Sequence, residues 1–374
     1  MDRRGRHGVQ LLAIAGLLAA CGGRGETAVF VAAHAGDGWE LAGIARGVKP
    51  TLALDSEGRP AVTYVQQGVG GWVDFATAAD DWTSTRISTG NYAGPADLDF
   101  DDAGRPHVAW HDHELAEVNP RYGNLVHAVR TDGAWQVGKA RDQGHDGFQT
   151  SIALDGPRVH AAGIEPVQYR TDQGVEHYVL EDGTWSVASI GTGPLGYEYD
   201  VSLAVARRGP ALTYYDDRAE ALVYAEQDDE TLSWRLERVS RRDEAGEFSS
   251  LAFNAADFPH VAFSRGNGEV LLATRTDAGW KLQRVAGERF ASAVSLAFHP
   301  DGRPAIAFAN RDAVRLAVRT MGEWSVETIA EADRRPFGKR VSLEIDAEGT
   351  AHVAFYELTR SKPLRGVVVY AVRS

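Results

Sequence analysis

Three arginines, Arg218, Arg265 and Arg311, recur at equivalent places in three consecutive stretches of this chain, and Tyr356-Glu357 follows in the same register. Guanidinium groups converging from separate segments grip a carboxylate through paired hydrogen bonds. A tyrosine beside a glutamate offers a nucleophile, and a nearby acidic group would complete cleavage of a glycosidic bond. Duplication of one loop also yields equivalent arginines, so the trio alone does not require catalysis.

Other polar groups share these stretches: His111-Asp112-His113-Glu114 in one copy and Asp216-Asp217-Arg218 in another. A second set of segments carries aromatics, namely Tyr92, Phe148, Tyr197 or Tyr199, Phe248, Phe290 and Phe337, with His145 and Asp146 beside Phe148. Polar groups converging beside aromatic faces suit a carbohydrate or a peptide. Polar loops and aromatic plugs between sheets produce the same pattern. Residues 111–114 include metal-ligating types, but neighbours on an extended chain point to opposite sides. The turns "DSEG", "DDAG" and "HPDG" lack the alternating ligands of a calcium loop. No metal and no cofactor is therefore expected.

The elements that position these residues come from a repeat. The phrase "FHPDGRPAIAF" at 298–308 returns as "LDSEGRPAVTY", "FDDAGRPHVAW" and "IDAEGTAHVAF". Aligned copies enter their first apolar strand at Leu52, Leu98, Ile152, Leu203, Leu251, Leu296 and Leu343. The spacings are 46, 54, 51, 48, 45 and 47 residues. Between them a turn delivers a tryptophan seven times, at Trp39, Trp82, Trp135, Trp185, Trp234, Trp280 and Trp324. Each unit reads as four short strands, since runs of Val, Ile, Phe and Leu are punctuated by Gly, Asp and Pro. A period near fifty residues built of four strands predicts an all-β, seven-bladed β-propeller. The tryptophans are expected to wedge between blades. The N-terminal strand from Trp39 is expected to complete the last blade, which opens at Leu343 and otherwise lacks an outer strand. Both 28–33 and 367–372 read as that blade's third strand.

"SLAxDxxGxPHVAF" paired with "DGxW" resembles the repeats of bacterial seven-bladed propellers grouped with the sialidase and BNR-repeat superfamily. That resemblance covers nearly the whole chain and implies architecture rather than activity. The Asp132–Trp135 and Asp182–Trp185 turns are shorter than that superfamily's Asp-box, and its Phe-Arg-Ile-Pro segment is absent.

The start of the chain reads differently. "MDRRGRHG" is basic, "VQLLAIAGLLAA" is apolar but too short for a permanent membrane span, and Leu18-Ala19-Ala20-Cys21 follows. This resembles a bacterial lipobox, which implies cleavage before Cys21 and acylation of that residue. The expected organisation is a signal peptide at 1–20, a lipidated tether at 21–27 and the propeller at 28–374. Cys21 is the sole cysteine, so no internal disulfide is available. Gly22 in place of aspartate points to the outer membrane or cell surface.

The formal charge is −13 with no cluster of Lys or Arg, which argues against nucleic-acid binding. The sequence thus leads first to a monomeric, lipid-anchored, non-enzymatic propeller that recognises a glycan or an envelope protein. His111, Asp112, His113, Asp216, Asp217, Arg265, Arg311, Tyr92, Phe148 and Tyr197 are its candidate ligand-binding residues. The alternative is an envelope glycoside hydrolase, sialidase-like, or a lyase, with Arg218, Arg265, Arg311, Tyr356 and Glu357 as its candidate catalytic residues.

Overall fold

The computed structural model describes residues 33–66, 71–87, 93–112, 123–141, 147–165, 174–192, 200–216, 219–228, 231–240, 246, 248–266, 268–287, 291–361 and 364–373. These residues form seven antiparallel sheets arranged as a β-propeller, with one short 3-10 turn at Ala78–Asp80 among them. Blades one to six span 48–86, 93–139, 148–192, 202–238, 249–287 and 293–331. Each runs from an innermost to an outer strand in chain order. Every entry residue from Leu52 to Leu343 lies in an innermost strand.

Blade seven consists of Phe337–Ile345, Ala351–Ser361 and Leu364–Arg373, and Glu40–Arg46 pairs antiparallel along its outer edge. Its third strand therefore contains 367–372; residues 28–32 lie outside the described ones. His34–Ala35 instead pairs with Glu331 and Ala330, adding a fifth strand to blade six.

Burial explains the strand pattern. Second strands are covered on both faces, and "PHVAWHD" of blade two is buried throughout. Outer strands are the least covered, and in "AWQVGK" Trp135 alone is half-buried while its neighbours are exposed.

The tryptophans sit where a wedge is needed. Trp135 meets Phe75 of the preceding blade edge-on at 5.3 Å, and Trp280 meets Tyr224 at 5.2 Å. Trp185 and Trp234 make the same contact with His127 and His177, and Trp82 meets Tyr370 at 5.0 Å with the rings tilted by 46°. Each ring fills the gap beside the preceding blade's third strand, where an edge-to-face pair adds to the area it buries.

A hydrogen-bonded belt joins the innermost strands. The residue before each entry is Thr51, Asp97, Ser151, Ser202, Ser250, Ser295 or Ser342. The backbone N–H groups of Leu52, Leu203, Leu251, Leu296 and Leu343 donate to the serine of the preceding blade at 2.9–3.1 Å. Ile152 N–H donates to Asp97 at 2.9 Å, and Thr51 Oγ1 donates to Ala96 O at 2.8 Å. All seven junctions are bridged, and the belt lines the central channel.

Candidate functional site at the channel mouth

Four innermost strands begin with a register shift: Val48/Thr51, Ala93/Ala96, Phe148/Ser151 and Phe337/Val341. A bulge bends its strand and re-aims a side chain. Here it turns residues just before the belt towards the axis, with Lys49 and Gln149 at positive φ of 55° and 52°. Lys49, Pro95, Gln149, Asp200, Phe248 and Arg340 each stand three residues before an entry residue, and all six line one cavity of about 710 Å³.

The loops after the second strands close the rest of that cavity. Arg265 and Arg311 line it, as do Tyr356, Phe337 and Lys339. Gly338 permits the approach of Tyr356: a Cβ there would meet the phenol ring at 1.9 Å. The Lys339 backbone amide donates to the Tyr356 hydroxyl, while burial pushes that phenol upward. Arg265 is braced by Glu269 at 2.9 Å, and Arg311 is exposed.

Five cations therefore surround the mouth: Lys49, Arg265, Arg311, Lys339 and Arg340. Asp200 is the one carboxylate among the described lining residues. Burial pushes its carboxyl upward, against the opposing pull of Arg340 and Lys49. Below Arg340 the channel narrows to a cavity of about 120 Å³ lined by the hydroxyl belt and Asp97. Deeper still, burial raises Asp99 to about 6 and Glu344 to about 8, the latter helped by the charges of Asp99 and Asp97.

The predicted residues are only partly brought together. Arg265, Arg311 and Tyr356 share the mouth with Phe248 and Phe337. Glu357 points away from it: the side chain is fully buried, takes the Ala33 N–H and lies 4.0 Å from Arg335. His111 and Asp112 are buried at the end of blade two's second strand, where Asp112 accepts from Trp110 Nε1 at 3.4 Å. Asp216 accepts from Ala219 N–H at 2.9 Å and shapes a local turn. Cys21, Tyr92, His113, Tyr197, Asp217, Arg218 and the side chain of Phe148 lie outside the described residues. Sequence reasoning missed Lys49, Asp200, Lys339 and Arg340. The signal that finds most of them is the fixed offset of three residues before each entry.

No family model matches the chain, and no curated protein matches it in sequence. Solved structures do. A Dyadobacter fermentans protein of unknown function aligns with a TM-score of 0.52 at 10% identity, covering 90% of this chain and 99% of that one. An α-L-arabinofuranosidase of Fusarium graminearum, in complex with an iminosugar inhibitor, aligns at 0.53 and 13%, covering 74% and 92%. The Aleuria aurantia lectin with α-methyl-L-fucoside aligns at 0.50 and 12%, covering 75% and 94%. At such identities the likeness is one of fold, and the chain is a seven-bladed β-propeller.

Proposed function

We propose that this protein is a lipid-anchored binding protein of the cell envelope whose channel mouth holds an anionic saccharide. One observation carries the reading: a chain of net charge −13 gathers five cations and one carboxylate around a single cavity. Such a pocket draws in and orients a carboxylate- or sulfate-bearing ligand. Phe248, Phe337 and Tyr356 supply apolar faces for sugar rings beside the charges. Similar folds hold an iminosugar inhibitor in the fungal arabinofuranosidase structure and α-methyl-L-fucoside in the lectin structure, which is consistent with a saccharide here.

The test is titration of the full chain with uronic-acid and sulfated oligosaccharides beside their neutral counterparts. Acidic ligands should bind with strong salt dependence, and Arg311→Ala or Lys339→Ala should weaken them without unfolding the protein. Acidic-sugar binding that is insensitive to salt, or undiminished in Arg311→Ala and Lys339→Ala, would overturn the reading.

Asp200 favours a second reading, a glycoside hydrolase. A carboxyl raised by burial is suited to protonate a leaving oxygen, and Tyr356 opens on the same cavity. Asp200→Asn should then abolish turnover of an aryl glycoside while acidic-sugar binding persists. Anchoring rests on the lipobox-like run at 18–21. Cys21→Ser should move the protein from the membrane fraction to the soluble one, and a mutant that stays in the pellet removes the anchor from the proposal.

A further inference from the structure

The repeat makes departures from it measurable, and three of them meet in one place. The third strand of each blade has one residue paired opposite Ala61, His107, His160, Ala211, His260, Ala305 or His352. Six of those residues are Thr77, Val129, Val179, Thr274, Val318 and Val372; blade four alone has a carboxylate there, Glu226. The turn between first and second strands departs as well. Gly58, Gly104, Gly302 and Gly349 take φ between 72° and 86° there, whereas blade five has Asp257 at 59°. Glycine adopts that conformation freely and most other residues pay strain for it. The next residue is Arg59, Arg105 or Arg303 in three blades, each paired with an aspartate of its own turn. In blade five it is Phe258, a large apolar side chain 46% exposed.

Glu226, Asp257 and Phe258 all line a cavity of about 530 Å³ between blades four and five. It is formed by the turns at the end of the strands opposite the channel mouth. One wall is a fixed lattice of donors and acceptors. Arg275 donates to Glu226 at 2.6 Å and to Glu237 at 2.7 Å, Arg235 lies 2.9 Å from both, and the Tyr224 hydroxyl donates to Glu226 at 3.0 Å. Phe258 presents an open aromatic face beside it.

We infer that this cavity is a second binding site, one for a neutral saccharide unit. Three guanidinium groups, Arg208, Arg235 and Arg275, line it against four carboxylates, Glu226, Asp228, Asp257 and Asp277, so it lacks the cationic excess that draws an anion to the mouth. Preorganised alternation of acceptors and donors matches adjacent sugar hydroxyls, and the exposed ring takes the apolar face of a pyranose or furanose. Aspartate is among the few residues that enter the left-handed region readily, so Asp257 keeps the turn while placing a carboxylate and Phe258 where four other copies have glycine and no aromatic. The site is independent of the mouth and of the ligand proposed there.

The experiment uses variants that restore the repeat. Asp257→Gly with Phe258→Arg restores the Gly-Arg pair of the turns in blades one, two and six, and Glu226→Val restores the valine found in the third strands of blades two, three, six and seven. The turn variant should fold at least as stably as the parent chain, and Glu226→Val, which takes an acceptor from Tyr224 and Arg275, should melt lower but still as one folded species. Methyl glycosides of neutral pentoses and hexoses, titrated against the full chain, should bind the parent, and either variant should weaken them by about tenfold or more. Arg311→Ala and Lys339→Ala should leave this binding unchanged. The inference is overturned by a parent that binds none of these glycosides at millimolar concentration. Undiminished binding by the restored variants, or loss through Arg311→Ala, would overturn it equally.

Discussion

Arg340 and Asp200 face each other across the channel mouth, Nη1 to Oδ1 at 3.8 Å, and the other arm of the same guanidinium donates to Thr51 Oγ1 at 3.1 Å. One side chain from blade seven thus ties the beginnings of blades one and four together at the axis. It is also the cation that opposes the burial of both Asp97 and Asp200.

Arg340→Ala should therefore cost about 1–3 kcal/mol in urea unfolding, because it strands two half-buried carboxylates. Adding Asp200→Asn to that background should recover part of the loss. A double variant no more stable than Arg340→Ala would show that Asp200 is not what Arg340 stabilises.

Glu344 gives the channel a pH signature. Its folded-state value lies near 8, raised from 4.5 chiefly by burial. Between those limits the unfolded chain releases the proton while the fold retains it, so stability falls as pH rises from about 4.5 through 8. Asp99, raised to about 6, contributes in the same direction over the lower part of that window. Glu344→Gln mimics the protonated form. It should raise the melting temperature at pH 8–9, leave it little changed near pH 5, and flatten the slope between. Parallel melting profiles for parent and variant would contradict this.

The architecture was legible because it was written seven times: period, turn residues and tryptophans agree from copy to copy. The mouth was less legible because it is built where copies differ. Lys49, Asp200 and Arg340 occupy one structural position but share no side-chain type, and bulges absent from any simple alternation aim two of them at the axis. His111, Asp112 and Asp216 read as the openings of loops, yet each lies within a second strand. Strand alternation then carries Glu357 to the side opposite Tyr356. The position before each entry residue carries Ser or Thr in six copies and Asp97 in the other, but only the ring geometry gives those side chains partners. Asp257 and Phe258 stand out once the turns are aligned, because the fold says what their counterparts do.

Blades two and three should carry an acid-sensitive device. His107 Nδ1 lies 3.0 Å from His127 Nε2, and His160 Nδ1 lies 3.1 Å from His177 Nε2. Each pair needs one ring to donate and the other to accept, so the pair cannot keep its hydrogen bond once both rings are protonated. Burial accordingly lowers His127 and His177 to about 3 and His160 to about 4 from the usual 6.5. Below pH 6.5 the unfolded chain takes up protons that the fold refuses, so this stability is lost as pH falls towards 4. His160→Ala with His177→Leu copies the residues of blade six, Ala305 and Leu316. The double variant should lose about 4 kcal/mol less than the parent between pH 7 and about pH 5, about 2 kcal/mol for each ring removed. An unchanged acid limb would mean that the pair titrates as it does in the unfolded chain.

Trp39 is buried beside the strand pair that joins Glu40–Arg46 to Leu364–Arg373. It is 5% exposed and packs in one cluster with Leu316 and Ile329 of blade six and Val369 of blade seven. It stands directly before Glu40–Arg46, the strand that pairs with Leu364–Arg373 near the C-terminus. Trp39→Ala leaves a large cavity at that junction and should cost about 3–5 kcal/mol. The urea midpoint should fall while the slope of the transition stays constant, since the same surface is exposed on unfolding. The outer wedges Trp135 and Trp185 are half-buried, so their alanine variants should cost less. If Trp39→Ala proves the mildest of the three, the junction is held by strand hydrogen bonds, and the tryptophan there is incidental.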